Sequence, residues 1–164
     1  MTTHPNTALI QSFYDSFARR DHRAMAACYA PDVRFSDPVF PDLAGPRAGA
    51  MWHMLCERGK DLRVTASGIS ADDRTGSAHW EAWYTFSATG RAVHNVIDAR
   101  FEFGGGLITR HSDAFDFYRW ARQALGAKGA LLGWTPLVRN AVRKQAARGL
   151  EAFIAKRAAP APTA

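Results

Sequence analysis

The chain has 164 residues, a net charge of +6 and two cysteines. That length can bury one core without disulfides or a structural metal, and Cys28 and Cys56 lie in no CxxC or Cys/His spacing that suggests zinc. No apolar run reaches the roughly 18 residues of a membrane span and MTTHPNTALI carries no secretory pattern, so the expectation is one soluble cytoplasmic unit with no membrane partner. From Arg119 onward nine Lys and Arg stand against Glu151 alone, a net of +8, while residues 1–118 carry −2. The basic character belongs to one C-terminal segment. A nucleic-acid arm there would bind with steep salt dependence and be lost on truncation at Gly126; the segment's many apolar residues favour no nucleic-acid partner.

Leu9, Ile10, Phe13, Tyr14 and Phe17 recur at spacings of three and four and predict an amphipathic helix over 7–20, with Asn6 as its N-cap. A second helix is expected from Asp21 to about Tyr29, with Met25, Cys28 and Tyr29 inward and Pro31 as its stop. Residues 32–40 alternate as a short strand that ends where Pro38 removes a ladder donor, leaving Asp37 at the strand end. A third helix over 47–58 would bury Met51, Trp52, Met54 and Leu55, with Gly59 as its C-cap.

Four strands follow, Leu62–Ala71, Gly76–Ala88, Arg91–Phe103 and Leu107–Tyr118. Their short links make them antiparallel neighbours, and Gly104 to Gly106 supply the positive φ of the last turn. A helix from Arg119 to Leu125, a glycine-broken link and a last helix from Pro136 to about Arg157 complete an α+β order. The tail, 158–164, reads as disordered. Leu131, Leu132, Trp134, Leu137, Val138, Val142, Leu150, Phe153 and Ile154 are too many for a solvated basic tail. The segment over 127–157 is expected to dock and close a cavity or a dimer.

The final hairpin carries the polar residues that ask for an explanation. His94, Asp98, Arg100, His111 and Asp113 sit among Val, Ile, Phe and Leu, and a buried carboxylate is costly unless it is partnered. On the last strand His111 and Asp113 share a face with Leu107, Phe115 and Phe117, which suggests a site. On residues 91–103 the odd face is the more apolar, so alternation alone puts Asp98 in solvent beside Arg100. Asp37 before Pro also suits an Asx turn. His94, His111 and Asp113 have the residue types of a two-His, one-carboxylate metal site.

The order helix, helix, YAPDVRFSDPV, helix, then a meander ending in ITRHSDAFDFYRW, resembles the nuclear transport factor 2-like superfamily over about residues 7–120. Its members include ketosteroid isomerases, SnoaL-type polyketide cyclases and limonene-epoxide hydrolases. The resemblance implies a cone, a curved antiparallel sheet around helices with an apolar pocket inside, here residues 1–126 with a helical extension over 127–157. It implies no metal and no cofactor. Asp37 is similar to the proton-abstracting base of the isomerases, and Asp98 to their protonated oxyanion donor. Phe13 occupies the isomerase tyrosine position, with Tyr14 one residue on and so about 100° around the helix. His111 and Asp113 resemble the region where cyclases and hydrolases hold their catalytic Asp, while Val96 occupies the position of the hydrolase Arg.

These readings give catalytic candidates Asp113, His111, Asp98 and Asp37, with Asp113 first as base and His111 as its partner. Phe13, Tyr14, Phe17, Trp52, Trp80, Tyr84, His94 and Phe115 are the expected pocket wall. Counting from the glycine turn puts Asp98 nearly opposite Asp113, so both carboxyls are expected in one cavity. The expected function is cofactor-independent isomerisation, cyclisation or hydration of a small hydrophobic or polycyclic molecule, in a homodimer. The alternative is a non-catalytic ligand-binding or interaction module.

Overall fold

The computed structural model describes residues 3–159. Helix α1 (Pro5–Ala18) starts on a proline whose fixed φ suits a first turn, and its cap is His4, which accepts the Asn6 N–H at 3.1 Å. Asn6 is therefore not the cap; its buried side chain donates to the Asp72 carbonyl at 2.8 Å. Ile10, Phe13, Tyr14 and Phe17 are all buried, a broad apolar face because the sheet curls around this helix. Helix α2 (His22–Ala27) is capped by Asp21, which accepts the Ala24 N–H at 3.0 Å. It ends at Cys28, and Tyr29 and Pro31 belong to strand β1 (Tyr29–Ser36) instead of a helix and its stop. Pro31 is tolerated there because it falls where the ladder between Tyr29 and Arg34 is irregular.

Strand β2 (Leu43–Ala44), helix α3 (Pro46–Arg58), and strands β3 (Arg63–Ala71), β4 (Thr75–Phe86), β5 (Arg91–Gly104) and β6 (Leu107–Ala114) complete the sheet. The six strands run in the order β2-β1-β6-β5-β4-β3. The β3 to β6 meander is antiparallel, as the short links require, whereas β1 lies parallel to β6. That pairing sets Phe35 beside His111 and Ser36 beside Ser112, so Asp37 follows the end of β1 next to the end of β6.

The glycine turn forms as expected, with Gly105 and Gly106 at φ +59 and +77. Beyond it the register is Gly104 with Leu107 and Phe103 with Ile108, then Glu102 with Arg110. Thr109 is thus one residue extra on β6, a bulge. A shift of one residue exchanges the faces of a strand. Asp113 lies opposite Ala99 and faces the core, while Asp98 lies opposite Ala114 and faces out.

Strand β6 stops at Ala114, short of the expected Tyr118, because the Asp116 side chain accepts the Arg119 N–H at 3.0 Å and caps helix α4 (Phe117–Leu125). Helix α5 (Ala127–Leu132) replaces the expected loose link. It lies so close to α4 that a Cβ at Gly129 would be 1.9 Å from the Ala121 carbonyl oxygen. Gly129→Ala is therefore expected to cost about 1–3 kcal/mol by overpacking and to lower Tm by several degrees. An unchanged thermal melt would contradict this packing.

Helix α6 (Pro136–Ala158) docks along α3. Leu150 and Phe153 join the main core, and ion pairs link Arg47 to Glu151 and Arg157 to Glu57. Docking is incomplete at the α5–α6 corner, where Leu131, Leu132, Trp134 and Leu137 are 46 to 77% exposed, so these four do not enter the core. Nearby, α6 is held mainly by Val138, which packs against Phe117 and Trp120. Ala158 closes α6, and residues 160–164 of the expected disordered tail lie outside the described residues. Among the described residues no helix is long and apolar enough to cross a membrane.

Candidate active site

The inward face of β6 delivers His111 and Asp113 into the centre of the cone. Their side chains are 0 and 2% exposed. Phe13, Phe35, Trp52 and Phe101 pack their rings around the imidazole at 4.4 to 5.9 Å. Such burial makes an unpartnered polar atom costly. His111 Nε2 lies 2.9 Å from Asp113 Oδ1, and Nδ1 lies 2.8 Å from the Tyr29 hydroxyl. Trp52 Nε1–H donates to the same hydroxyl at 2.8 Å, and Trp80 Nε1–H donates to Asp113 Oδ1 at 3.3 Å.

These bonds fix a direction of donation. The buried Tyr29 hydroxyl is held protonated, its pKa pushed well above the ordinary range first by burial and also by the Asp113 charge. Having accepted from Trp52, it donates its proton to His111 Nδ1, which leaves Nε2–H to donate to Asp113. The result is a chain of contacts, Trp52 to Tyr29 to His111 to Asp113. It holds the Asp113 carboxyl rigidly against the β1 end of the sheet.

Asp37 stands at that end, half-buried. Its Oδ1 accepts the N–H groups of Val39 and Phe40 at 2.7 and 2.5 Å, so the Asx turn is present. Oδ2 accepts no hydrogen bond among the described residues. Burial raises the Asp37 pKa most, and the Asp113 charge adds to it; the two amides and Arg143 pull it down, and the balance is about 7. A turn role and an acid/base role therefore occupy different oxygens of one carboxyl.

The aromatic wall is built from α1, α3 and β4. Phe13, Tyr14, Phe17, Trp52 and Trp80 are all buried. Phe13 faces His111 at 5.4 Å, and Tyr14, one residue on, also points inward, 5.7 Å from Trp80. Among the described residues the buried Tyr14 hydroxyl has no hydrogen-bond partner, and burial followed by the Asp113 charge pushes its pKa well above the ordinary range. Tyr84 lies at the α4 side, accepts the Trp120 Nε1–H at 2.8 Å, and has its pKa pushed up to about 12 by burial. Phe115 is half-buried and packs against both apolar clusters.

Two expected site residues fall outside this group. Asp98 is 81% exposed on the outer face, 2.8 Å from His79 Nδ1, because the Thr109 bulge turned its register away from Asp113. His94 shares that outer face, stacked on Trp83 and 2.5 Å from Glu81. Asp98 and Asp113 therefore form no pair in one cavity, and His94 does not converge with His111 and Asp113. Alternation along β5 was the better guide here than the resemblance. Asp98→Asn is expected to change stability by under about 0.5 kcal/mol, as surface substitutions do; a large loss in a denaturant titration would contradict the outward placement.

The sequence places Tyr29 in a helix and Arg143 in the basic C-terminal segment, with no site role for either. Neither role had a local signal, since each depends on a long-range pairing, β1 with β6 for Tyr29 and α6 with the Asp37 turn for Arg143.

The SnoaL-like domain family matches residues 10–111, which span α1 through His111. The chain belongs to this family. Helices α4 to α6 lie beyond the match, so the SnoaL-like part carries Asp37, Tyr29 and His111 while the extension is additional to it. No curated protein matches the chain. Among solved structures, the chain is similar to a candidate polyketide cyclase from Xanthomonas campestris at 24% identity and TM-score 0.62, covering 73% of this chain and 96% of that one. An LEH-like epoxide hydrolase of M. tuberculosis matches at 20% identity and TM-score 0.64, covering 79% and 96%. A Catenulispora acidiphila protein with a ketosteroid isomerase-like fold, bound to trimethylamine, matches at 13% and TM-score 0.66, covering 82% and 100%. At these identities the likeness is one of fold: relatives named as cyclases, isomerases and hydrolases share the cone.

Proposed function

We propose that this SnoaL-like chain is a cofactor-independent acid/base enzyme acting on a small hydrophobic or polycyclic molecule, with Asp37 as the base. The observation that carries the reading is a carboxyl with one free oxygen and a pKa of about 7, close to the working pH that favours a general base. Asp113, first by sequence, serves in this reading as the fixed negative charge behind Asp37, oriented by His111, Tyr29 and Trp52. It is sealed from solvent and already accepts two hydrogen bonds at Oδ1. Tyr14 contributes the unpartnered buried hydroxyl, a donor for a ligand oxygen. Proton abstraction by Asp37 Oδ2 serves isomerisation, aldol-type cyclisation or hydration.

Enone, epoxide and polyketide-like panels test this directly. Turnover of at least one class is expected, with kcat/KM rising through about pH 7 to a plateau as Asp37 loses its proton. Absence of turnover across all three, with ligand binding retained, would favour the second reading, a non-catalytic binding module. Enclosure of His111 and Asp113 is the observation on that side. The chain is proposed to act as a homodimer, and light scattering on the purified chain reads it.

A further inference from the structure

Helix α6 crosses the end of the cone beside the Asp37 turn, and the two border an open pocket of about 510 Å³. That volume lies within the range of small-molecule sites. Phe115, Phe117 and Trp134 supply its apolar wall, and Arg139 and Arg143 supply its charge. Arg143 Nε donates to the Pro38 carbonyl at 2.8 Å, which orients the guanidinium and leaves its other donors free of that bond. Arg139 stands over the Phe117 ring at 5.3 Å. Among the described residues neither arginine forms an ion pair. Asp116, the acid in the lining, spends Oδ1 on the cap of α4. Exposed Arg139 and half-buried Arg143, held by a ring and a carbonyl and in no ion pair among the described residues, face an aromatic wall.

We propose that this cavity is an anion-recognition subsite, in which Arg139 and Arg143 take the carboxylate of an apolar ring compound while Trp134 and Phe115 cover the ring. It rests on the Asp37 reading for its purpose, since Pro38 and Phe115 place it against the site and the captured acid group would orient a ligand towards Asp37. Both arginines come from the extension, outside residues 10–111 of the family match, so the subsite is a property of this chain and not of the shared cone. Guanidinium pairs suit carboxylates because their planar donors match both oxygens.

The test measures binding, not turnover, so its failure is distinguishable from failure of the Asp37 reading. Full-length protein is titrated with 1-naphthoate and with its neutral isostere 1-naphthamide, read by calorimetry. Naphthoate is expected to bind at least about tenfold tighter than naphthamide at low salt, with the preference shrinking as salt rises. Arg139→Gln and Arg143→Gln should each reduce that preference severalfold, and the double variant should abolish it. Trp134→Ala should weaken both probes alike. Arg139 is exposed, so its single variant tests the proposal even if loss of the Arg143 to Pro38 bond disturbs the fold. Equal affinity for the two probes, no binding of naphthoate at millimolar concentration, or an unchanged preference in Arg139→Gln would each overturn the assignment.

Discussion

Asp37→Asn is expected to lower turnover by about 10²–10⁴-fold and at the same time to stabilise the protein above pH 7. Asparagine keeps the side-chain oxygen that accepts the Val39 and Phe40 amides, so the turn survives, but it cannot take a proton. The stability arm follows from linkage. The Asp37 value is raised from the ordinary 3.8 to about 7, so between those values the folded protein binds more protons than the unfolded chain. Its contribution is therefore fully present below about pH 4 and is lost as pH rises through 7. Three units correspond to about 4 kcal/mol, a ceiling on what removing the charge returns. Denaturant unfolding at several pH values should show the gain of the variant over the native chain growing from pH 4 to 7 and then levelling. A variant that is less stable at pH 8, or one with unchanged turnover, would contradict the role given to Asp37.

His111→Leu is expected to destabilise by about 3–5 kcal/mol, the usual cost of breaking a buried polar pair from one side. Leucine fills much of the space but removes the Nε2 donor to Asp113 and the Nδ1 acceptor for Tyr29. Asp113 would keep only the longer bond from Trp80, at 3.3 Å, in surroundings with almost no solvent. A Tm lower by on the order of 10 °C should result for a chain of this length. Tyr29→Phe should cost less, about 1–3 kcal/mol, because it leaves Trp52 Nε1–H and His111 Nδ1 unpaired without exposing a carboxyl. A loss under about 1 kcal/mol in His111→Leu would show that the chain of bonds does not hold the core.

The meander and its glycine turn were legible because short links and period-two alternation are local signals. Helix α1 was legible for the same reason, through its spacing of Ile10, Phe13, Tyr14 and Phe17. What the sequence hid is non-local. The parallel pairing of β1 with β6 joins the first and last strands of the chain; it moved Tyr29 from an expected helix into the chain that leads to Asp113. The Thr109 bulge is a one-residue event with no marker of its own, yet it separated Asp98 from Asp113. Asp37 was legible twice, as a turn residue before Pro38 and, through the resemblance, as a base, and both readings fit different oxygens. Helix α6 lies beyond residues 10–111 of the family match, so its placement over that turn, and the arginines it brings there, had no local signal.

The claim on which the rest depends is that Asp37 titrates near neutrality because it is buried beside Asp113. Carboxyl ¹³C NMR of protein labelled at aspartate, with Asp37→Asn used to identify the resonance, measures this without a substrate. The expected midpoint is near pH 7, falling when Asp113→Asn removes the neighbouring charge. A midpoint near the ordinary 3.8, unmoved by Asp113→Asn, would contradict the account.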